Sequence, residues 1–329
     1  MKTHQNDISD IPLVSVVMIS YNSERFITDA IKGVVGQKTS FPYELIISDD
    51  SSTDSTPDII RLWQKKYPYV IRFFQNKVNL GIQSNYLEAF RHCRGKYMAM
   101  CDADDYWFNR HKLSRQIDYM ENHPECSITF HRVVNYYLDN NTKSLSNGGQ
   151  KTDTTINDLS KANYITNLSV MYRLDGIELN KLPDFLTKEK LLDYAMHMLV
   201  ASRGSIHYFR KPMGVYRQYS KGEWSKKGNL ERLDMALRVR ERLIEYFNSN
   251  PSIVSNLRNA SAKIIAAMLR SSNDHKVRSA ILHRAKAIGI DERDITFGNE
   301  DPGRRLMRRI ISRTRGCVSK IIPIPQSKI

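Results

Sequence analysis

The stretch YMAMCDADDYW, residues 97–107, decides how the rest of the chain is read. Four largely apolar residues run into Cys101, and Asp102, Asp104 and Asp105 follow almost at once. Carboxylates this close raise one another's pKa unless a positive group sits among them. The apolar run predicts a buried strand, and the acidic turn at its end predicts a place where something positive is held. Two carboxylates one residue apart form a hard-oxygen site suited to Mg2+ or Mn2+, ions that often share their ligands with phosphates. A solvated acidic turn satisfies the triplet equally well, so its surroundings decide between the two.

Outward from that turn the chain alternates. LVSVVMIS (13–20), ELIISDD (44–50), VIRFFQN (70–76) and KYMAMCD (96–102) are short apolar runs with the β-branched content of buried strands. Between the first two, Phe26, Ile27, Ala30, Ile31, Val34 and Val35 share one helical face, with Ser23 as the expected N-cap. Thr56 and Pro57 predict the cap and first residue of the next helix. A third helix is expected to end at Gly95. Alternation of this kind implies an α/β fold with a mostly parallel sheet and helices on both faces. In such sheets ligands sit beyond the carboxyl ends of the strands. Ser20-Tyr21-Asn22, Asp49-Asp50-Ser51 and Asp102 to Asp105 are three such ends, and they should converge on one crevice.

Downstream, Leu113, Ile117 and Met120 mark a helix, SITFHRVVNYYL a strand, and residues 139–163 a polar surface loop. KEKLLDYAMHMLVASRG (188–204) reads as a helix. From about Asn229 two apolar stripes follow at helical spacing, Leu230 to Phe247 and Ile253 to Leu269.

The 329 residues, 41% of them hydrophobic, allow one α/β domain and an appendage. MKTHQNDISDIP has no apolar leader, no run of 18 apolar residues occurs, and Cys93, Cys101, Cys126 and Cys317 lack disulfide or metal spacing. A reduced, cytoplasmic chain is therefore expected. The net charge of +15 is uneven: residues 1–225 carry +3 and residues 226–329 carry +12. Within 302–325, seven basic residues lie opposite an apolar stripe that includes Leu306, Ile310 and Ile321. That is the composition of an interfacial helix drawn to an anionic membrane surface. Packing of that helix on the domain is the competing expectation. No nucleic-acid module is recognisable, so a nucleic-acid partner is not expected.

Taken together, SVVMISYNSERFITDAIKGVVGQ, ELIISDDSSTDST and NLGIQSNYLEAFRHCRGKYMAMCDADDYWFNRHKLSRQ resemble family 2 glycosyltransferases of the GT-A fold. The motifs stand in the family's order over roughly residues 12–125. A looser likeness to members that build bacterial surface polysaccharides continues through ITNLSVMYR, LLDYAMHMLVASRG and MGVYRQYSKGEWS. The resemblance implies a tail over 1–11 and a GT-A domain over 12–225, split into a nucleotide-sugar half (12–125) and an acceptor half (126–225). A helical basic extension would follow over 226–329. It implies that Tyr21 lines the nucleotide pocket and that Asp50 hydrogen-bonds the nucleobase. Asp102 would serve the ribose and the metal, with Asp104 as the main ligand of Mn2+ or Mg2+ and Asp105 in support. Asp193 would be the general base of an inverting transfer from a nucleotide sugar, UDP-linked, to a glycan or lipid-linked acceptor. Tyr219 stands where the family pattern has His, so Arg217, Lys221 or Tyr219 would take over that residue's role. The competing expectations are a nucleotidyltransferase, disfavoured by YNSERF in place of a Gly-rich basic loop, and a non-catalytic scaffold that keeps the fold.

Overall fold

In the computed structural model, the strand that runs into the acidic turn sits in the middle of a ten-stranded mixed sheet. The structure describes residues 11–183, 185, 186, 192–220, 222 and 226–295. The basic stretch 302–325, Lys221 and the 1–10 segment lie outside the described residues. Two compact units are distinguished, one up to Ser261 and one from Ala262.

The first unit opens with the expected alternation. Strands β1 (Val14–Ser20), β2 (Tyr43–Asp49), β3 (Ile71–Gln75) and β4 (Tyr97–Met100) are separated by helices α1 (Ile27–Val35), α2 (Thr56–Lys66) and α3 (Ile82–Arg91). Their order in the sheet is β3-β2-β1-β4, all parallel. From β1 the chain moves to one side for β2 and β3 and then returns to the other side for β4. That reversal opens a crevice beyond the ends of β1 and β4. The remaining strands are β5 (Tyr106–Trp107), β6 (Cys126–Tyr137), β7 (Thr142–Leu145), β8 (Asp153–Thr154), β9 (Met171–Arg173) and β10 (Ser205–Gln218). Beyond β4 the order continues β9-β6-β10-β5, where β9 is antiparallel to both β4 and β6, while β6 and β10 run parallel.

Strand alternation sends side chains to both faces. Val14, Val16 and Met18 join a core with Ile31 and Val34 of α1, Ile60 of α2, and Leu113, Ile117 and Met120 of α4 (Lys112–Asn122). Val17, Ile46 and Met98 point the other way, and α3 packs on β1 and β2. Each such fully buried aliphatic side chain contributes roughly 1.5–3 kcal/mol.

Three expectations need correction. Ser23 does not cap α1 with its hydroxyl, which donates to Tyr21 O; its carbonyl instead accepts from Phe26 N and Ile27 N, both at 2.9 Å. Ser55, not Thr56, is the residue preceding α2, because the Thr56 hydroxyl is used by Ser23 N at 2.8 Å. Residues 139–163 are not a plain loop. A turn with Asn141 in the left-handed region (φ 53°) folds β7 back on β6. Strand β8 pairs with β10, and α5 (Ile156–Lys161) starts from a Thr155–Asp158 capping box.

Helices α6 (Leu192–Ala201) and α7 (Asn229–Tyr246) follow, then α8 (Pro251–Ser271), which crosses the division between the units. The second unit adds α9 (His275–Ala287). Among the described residues no helix is long and apolar enough to cross a membrane.

Gly33 shows how α1 supports the acidic turn. A Cβ there would lie 2.6 Å from the main-chain oxygen and 2.9 Å from the nitrogen of Trp107. Alanine is the better helix former by about 1 kcal/mol, but the Trp107 backbone leaves no room for its Cβ. Gly33→Ala should therefore lower unfolding stability by about 1–3 kcal/mol, read from urea titrations.

Candidate active site

The loops after β1 and β2 are joined side by side. Asn22 N donates to Ser52 Oγ (2.8 Å), Asn22 Oδ1 accepts from Thr53 N (2.8 Å), and Glu24 Oε2 accepts from Ser55 N (3.0 Å). Both loops turn through left-handed residues, Asn22 (φ 47°) and Ser51 (φ 61°). For a non-glycine such as Ser51 this is a strained backbone, retained because its surroundings enforce it. Tyr21 stands at this edge, 44% exposed. Asp49 is buried and accepts from Ser20 Oγ and from Ser52 N and Oγ.

Asp50 is also buried. Its carboxylate accepts from Leu80 N and Gly81 N, each at 2.8 Å, and from Asn76 Nδ2 at 3.0 Å. It thereby fixes the loop that leads into α3, where Gly81 has φ 84°. The structure places Asp50 at the strand end expected for it, with a loop-bracing role that its sequence setting did not suggest.

The acidic turn is anchored to β1 by Ala103 N donating to Ile19 O (3.2 Å) and closed by Asp105 N donating to Asp102 O (3.1 Å). The Tyr86 phenol of α3 donates to Asp102 Oδ1, and Asn167 Nδ2 donates to Asp102 Oδ2 at 3.0 Å. Asp105 is buried and accepts from the main-chain amide of Arg217 at 2.8 Å. The Arg217 guanidinium donates to Asp104 O (3.1 Å) and Asp29 Oδ2 (2.5 Å) and lies 4.4 Å from the Tyr106 ring centre. Tyr219 OH stands 3.5 Å from Asp104 Oδ2.

Burial pushes the pKa of all three carboxyls upward, and each is further affected by other acids nearby. Asp104 is pushed up to about 6, first by desolvation and then by Asp102. Asp193, on α6, is raised by desolvation and sits close enough to raise Asp102 in turn. The Tyr216 phenol is raised by burial and then by Asp105, Asp104, Asp102 and Asp193. The acidic turn, Tyr216 and Asp193 thus share one electrostatic environment. Sequence reasoning missed Tyr86, Asn167, Tyr216 and the main-chain role of Arg217; none lies in a spacing that marks a long-range hydrogen bond.

A cation fits this arrangement. The turn supplies hard carboxylate oxygens, partly withdrawn from water and with other acids close by, so that desolvation first and neighbouring charge second raise their pKa values. Among the described residues no set of three acidic, His or Cys side chains could hold an ion by itself. Asp102 and Asp104 would therefore share it with water and with phosphate oxygens, the usual manner of Mg2+.

Residues 15–178 match the family model described as Glycosyl transferase family 2, and they form a family 2 glycosyltransferase domain of the GT-A fold. Rv1520 of Mycobacterium tuberculosis is 36% identical over 216 residues, covering 64% of this chain and 60% of that protein. The chain thus spans about three fifths of the length of this relative. WfaP of Escherichia coli, named a UDP-Glc:alpha-D-GlcNAc-diphosphoundecaprenol beta-1,3-glucosyltransferase, is 29% identical over 192 residues, 58% of this chain and 71% of that protein. A mannosyltransferase from Pyrobaculum calidifontis, solved with GDP-Man and Mn2+, shares the fold at TM-score 0.51 and 17% identity, over 94% of this chain and 82% of that one.

The acidic turn generates a stability test. A carboxyl whose folded pKa lies above its unfolded value near 3.8 favours folding when protonated, and that contribution fades as pH rises through about 6. Without divalent cations, Asp104→Asn should stabilise the fold at pH 7.5 by about 1–2 kcal/mol. The gain should shrink toward pH 4, as thermal melts across that range would record.

Proposed function

We propose that this chain is an inverting glycosyltransferase that moves a sugar from a nucleoside-diphosphate donor, UDP-linked, to a glycan or lipid-linked acceptor of a bacterial surface polysaccharide. The observation that carries the reading is the acidic turn beyond β4, set at the reversal of strand order, with Asp193 near enough to raise the pKa of Asp102. The names of the relatives support it: WfaP is named for UDP-Glc and a diphosphoundecaprenol acceptor, and the Pyrobaculum calidifontis mannosyltransferase was solved with GDP-Man and Mn2+.

In this reading Tyr21 lines the nucleotide pocket. Asp50 takes part in nucleobase recognition, holding the Leu80–Gly81 amides that would wall the base. Asp102 and Asp104 would hold Mn2+ or Mg2+. Such an ion, when bound, offsets the charge developing on the departing diphosphate. Asp193, half-buried, takes the proton of the acceptor hydroxyl, and desolvation raises its pKa and makes it a stronger base than a fully exposed carboxylate. The acceptor oxygen bonds to the anomeric carbon from one face while the bond to the diphosphate oxygen breaks on the other. The configuration at that carbon is inverted. Arg217 and Tyr219 meet the turn at Asp104 and would take over the role of the His expected at position 219. The expected membrane association through 302–325 belongs to the same proposal, since a lipid-linked acceptor would be met at a cytoplasmic membrane face.

The test is release of nucleoside diphosphate from a panel of nucleotide sugars with lipid-linked acceptors, with Mn2+, with Mg2+ and with EDTA. One donor should be turned over, EDTA should stop it, and Asp104→Ala should abolish it. Asp193→Asn should lower kcat by about 10²–10⁴ while donor KM stays within a few-fold. Equal turnover by Asp193→Asn and the native chain would remove Asp193 from the mechanism.

A further inference from the structure

Asp102 is held by a closed ring of hydrogen bonds drawn from both halves of the first unit. Asn167 Nδ2 donates to Asp102 Oδ2 (3.0 Å) and to the Tyr86 hydroxyl (2.8 Å), and that hydroxyl donates its single hydrogen to Asp102 Oδ1. Asp104 receives a long 3.5 Å contact from Tyr219 instead. We infer that Tyr86 and Asn167 are positioning residues that lock the Asp102 carboxylate in one orientation, and that they make the cation–diphosphate subsite depend on the acceptor-side turn Asn167–Ser169. This inference rests on the donor-site reading above.

The ring has one consistent assignment of donors. Tyr86 is 7% exposed, packs its ring on Phe90, and keeps its proton in the buried, acidic surroundings. Its hydrogen therefore goes to a carboxylate oxygen, and its oxygen accepts from Asn167. Flipping the Asn167 amide would set its oxygen against both Asp102 Oδ2 and the phenol oxygen, so the nitrogen belongs there. Charge-assisted bonds of this type are stronger than neutral ones, and two of them fix both oxygens of one carboxylate.

Each partner is itself braced. The turn Asn167–Ser169 is tied to the donor half at two further points. Leu168 O accepts from Trp107 Nε1 at 2.8 Å, and Ser169 O accepts from Gln116 Nε2 at 3.1 Å. Near the start of α3, three residues before Tyr86 in the helix, Gln83 Nε2 donates to Leu186 O at 2.5 Å. The orientation of Asp102 is thus set by α3 on one side and by a segment more than sixty residues downstream on the other. Groups that orient a ligating side chain in this way typically change metal affinity 10–100-fold when removed.

The experiment uses the full chain with UDP and titrates Mn2+, following free Mn2+ by its EPR signal. Native protein is compared with Tyr86→Phe, Asn167→Ala, the double variant and Asp104→Asn, and circular dichroism melts are recorded for each. The expected result is Mn2+ affinity weakened about 10–100-fold by each clamp variant. The double variant should cost less than the product of the two, because Asn167 donates to both partners. A clamp variant that loses its melting transition is set aside, and the other then carries the test. Two outcomes overturn the inference and are distinguishable. If Asp104→Asn abolishes binding while the folded clamp variants keep Mn2+ affinity within two-fold, the clamp is structural and the donor-site reading stands. If Asp104→Asn binds Mn2+ like the native chain, the cation reading of the turn falls and the clamp falls with it.

Discussion

Three carboxylates crowd one turn, Asp105 buried and Asp102 and Asp104 half-buried, and the partial loss of water raises the pKa of each. The fold answers with groups that are mostly uncharged: the Arg217 amide on Asp105, and the Tyr86 phenol and Asn167 amide on Asp102. The one cation at the turn that these bonds involve, Arg217, spends its guanidinium on Asp29 and on the main-chain oxygen of Asp104. Neutral donors orient carboxylates without neutralising them. Negative charge therefore remains concentrated around Asp104, which is what a site for a divalent cation and a diphosphate requires.

The rest of the first unit serves to keep that turn rigid. Parallel pairing of β1 with β2 and β4 brings three strand ends to one edge. Gly33 lets α1 lie directly on the Trp107 backbone, and Trp107 in turn bonds Leu168 O. The β1 and β2 loops are stitched to each other, and Asp50 braces the loop before α3. Groups fixed before a charged substrate arrives need no rearrangement when charge develops, which is how preorganised sites stabilise a transition state.

Much of this was legible in the sequence, because it depends on local pattern. The period of apolar residues in α1 and the β-branched runs of β1 and β2 identify their elements, and alternation fixes parallel pairing. The placement of Asp102 and Asp104 at a strand end follows from that. What escaped depends on partners distant along the chain. Tyr86 reads as one more helical aromatic, and Asn167 as a loop residue, until the fold brings them to Asp102. Thr56 looks like a cap, yet its hydroxyl serves Ser23 thirty-three residues earlier. The polar 139–163 segment lacks apolar alternation, so its strands are specified by pairing with β6 and β10 and not by their own composition.

The central claim is that the turn after β4 is where a cation and a donor diphosphate meet. Anomalous diffraction at the manganese edge, from crystals grown with Mn2+ and UDP, tests it directly. The account predicts one anomalous peak coordinated by Asp104, with diphosphate oxygens completing the shell and the base lying toward Asp50. A peak elsewhere, or UDP bound with no metal at the turn, would contradict it.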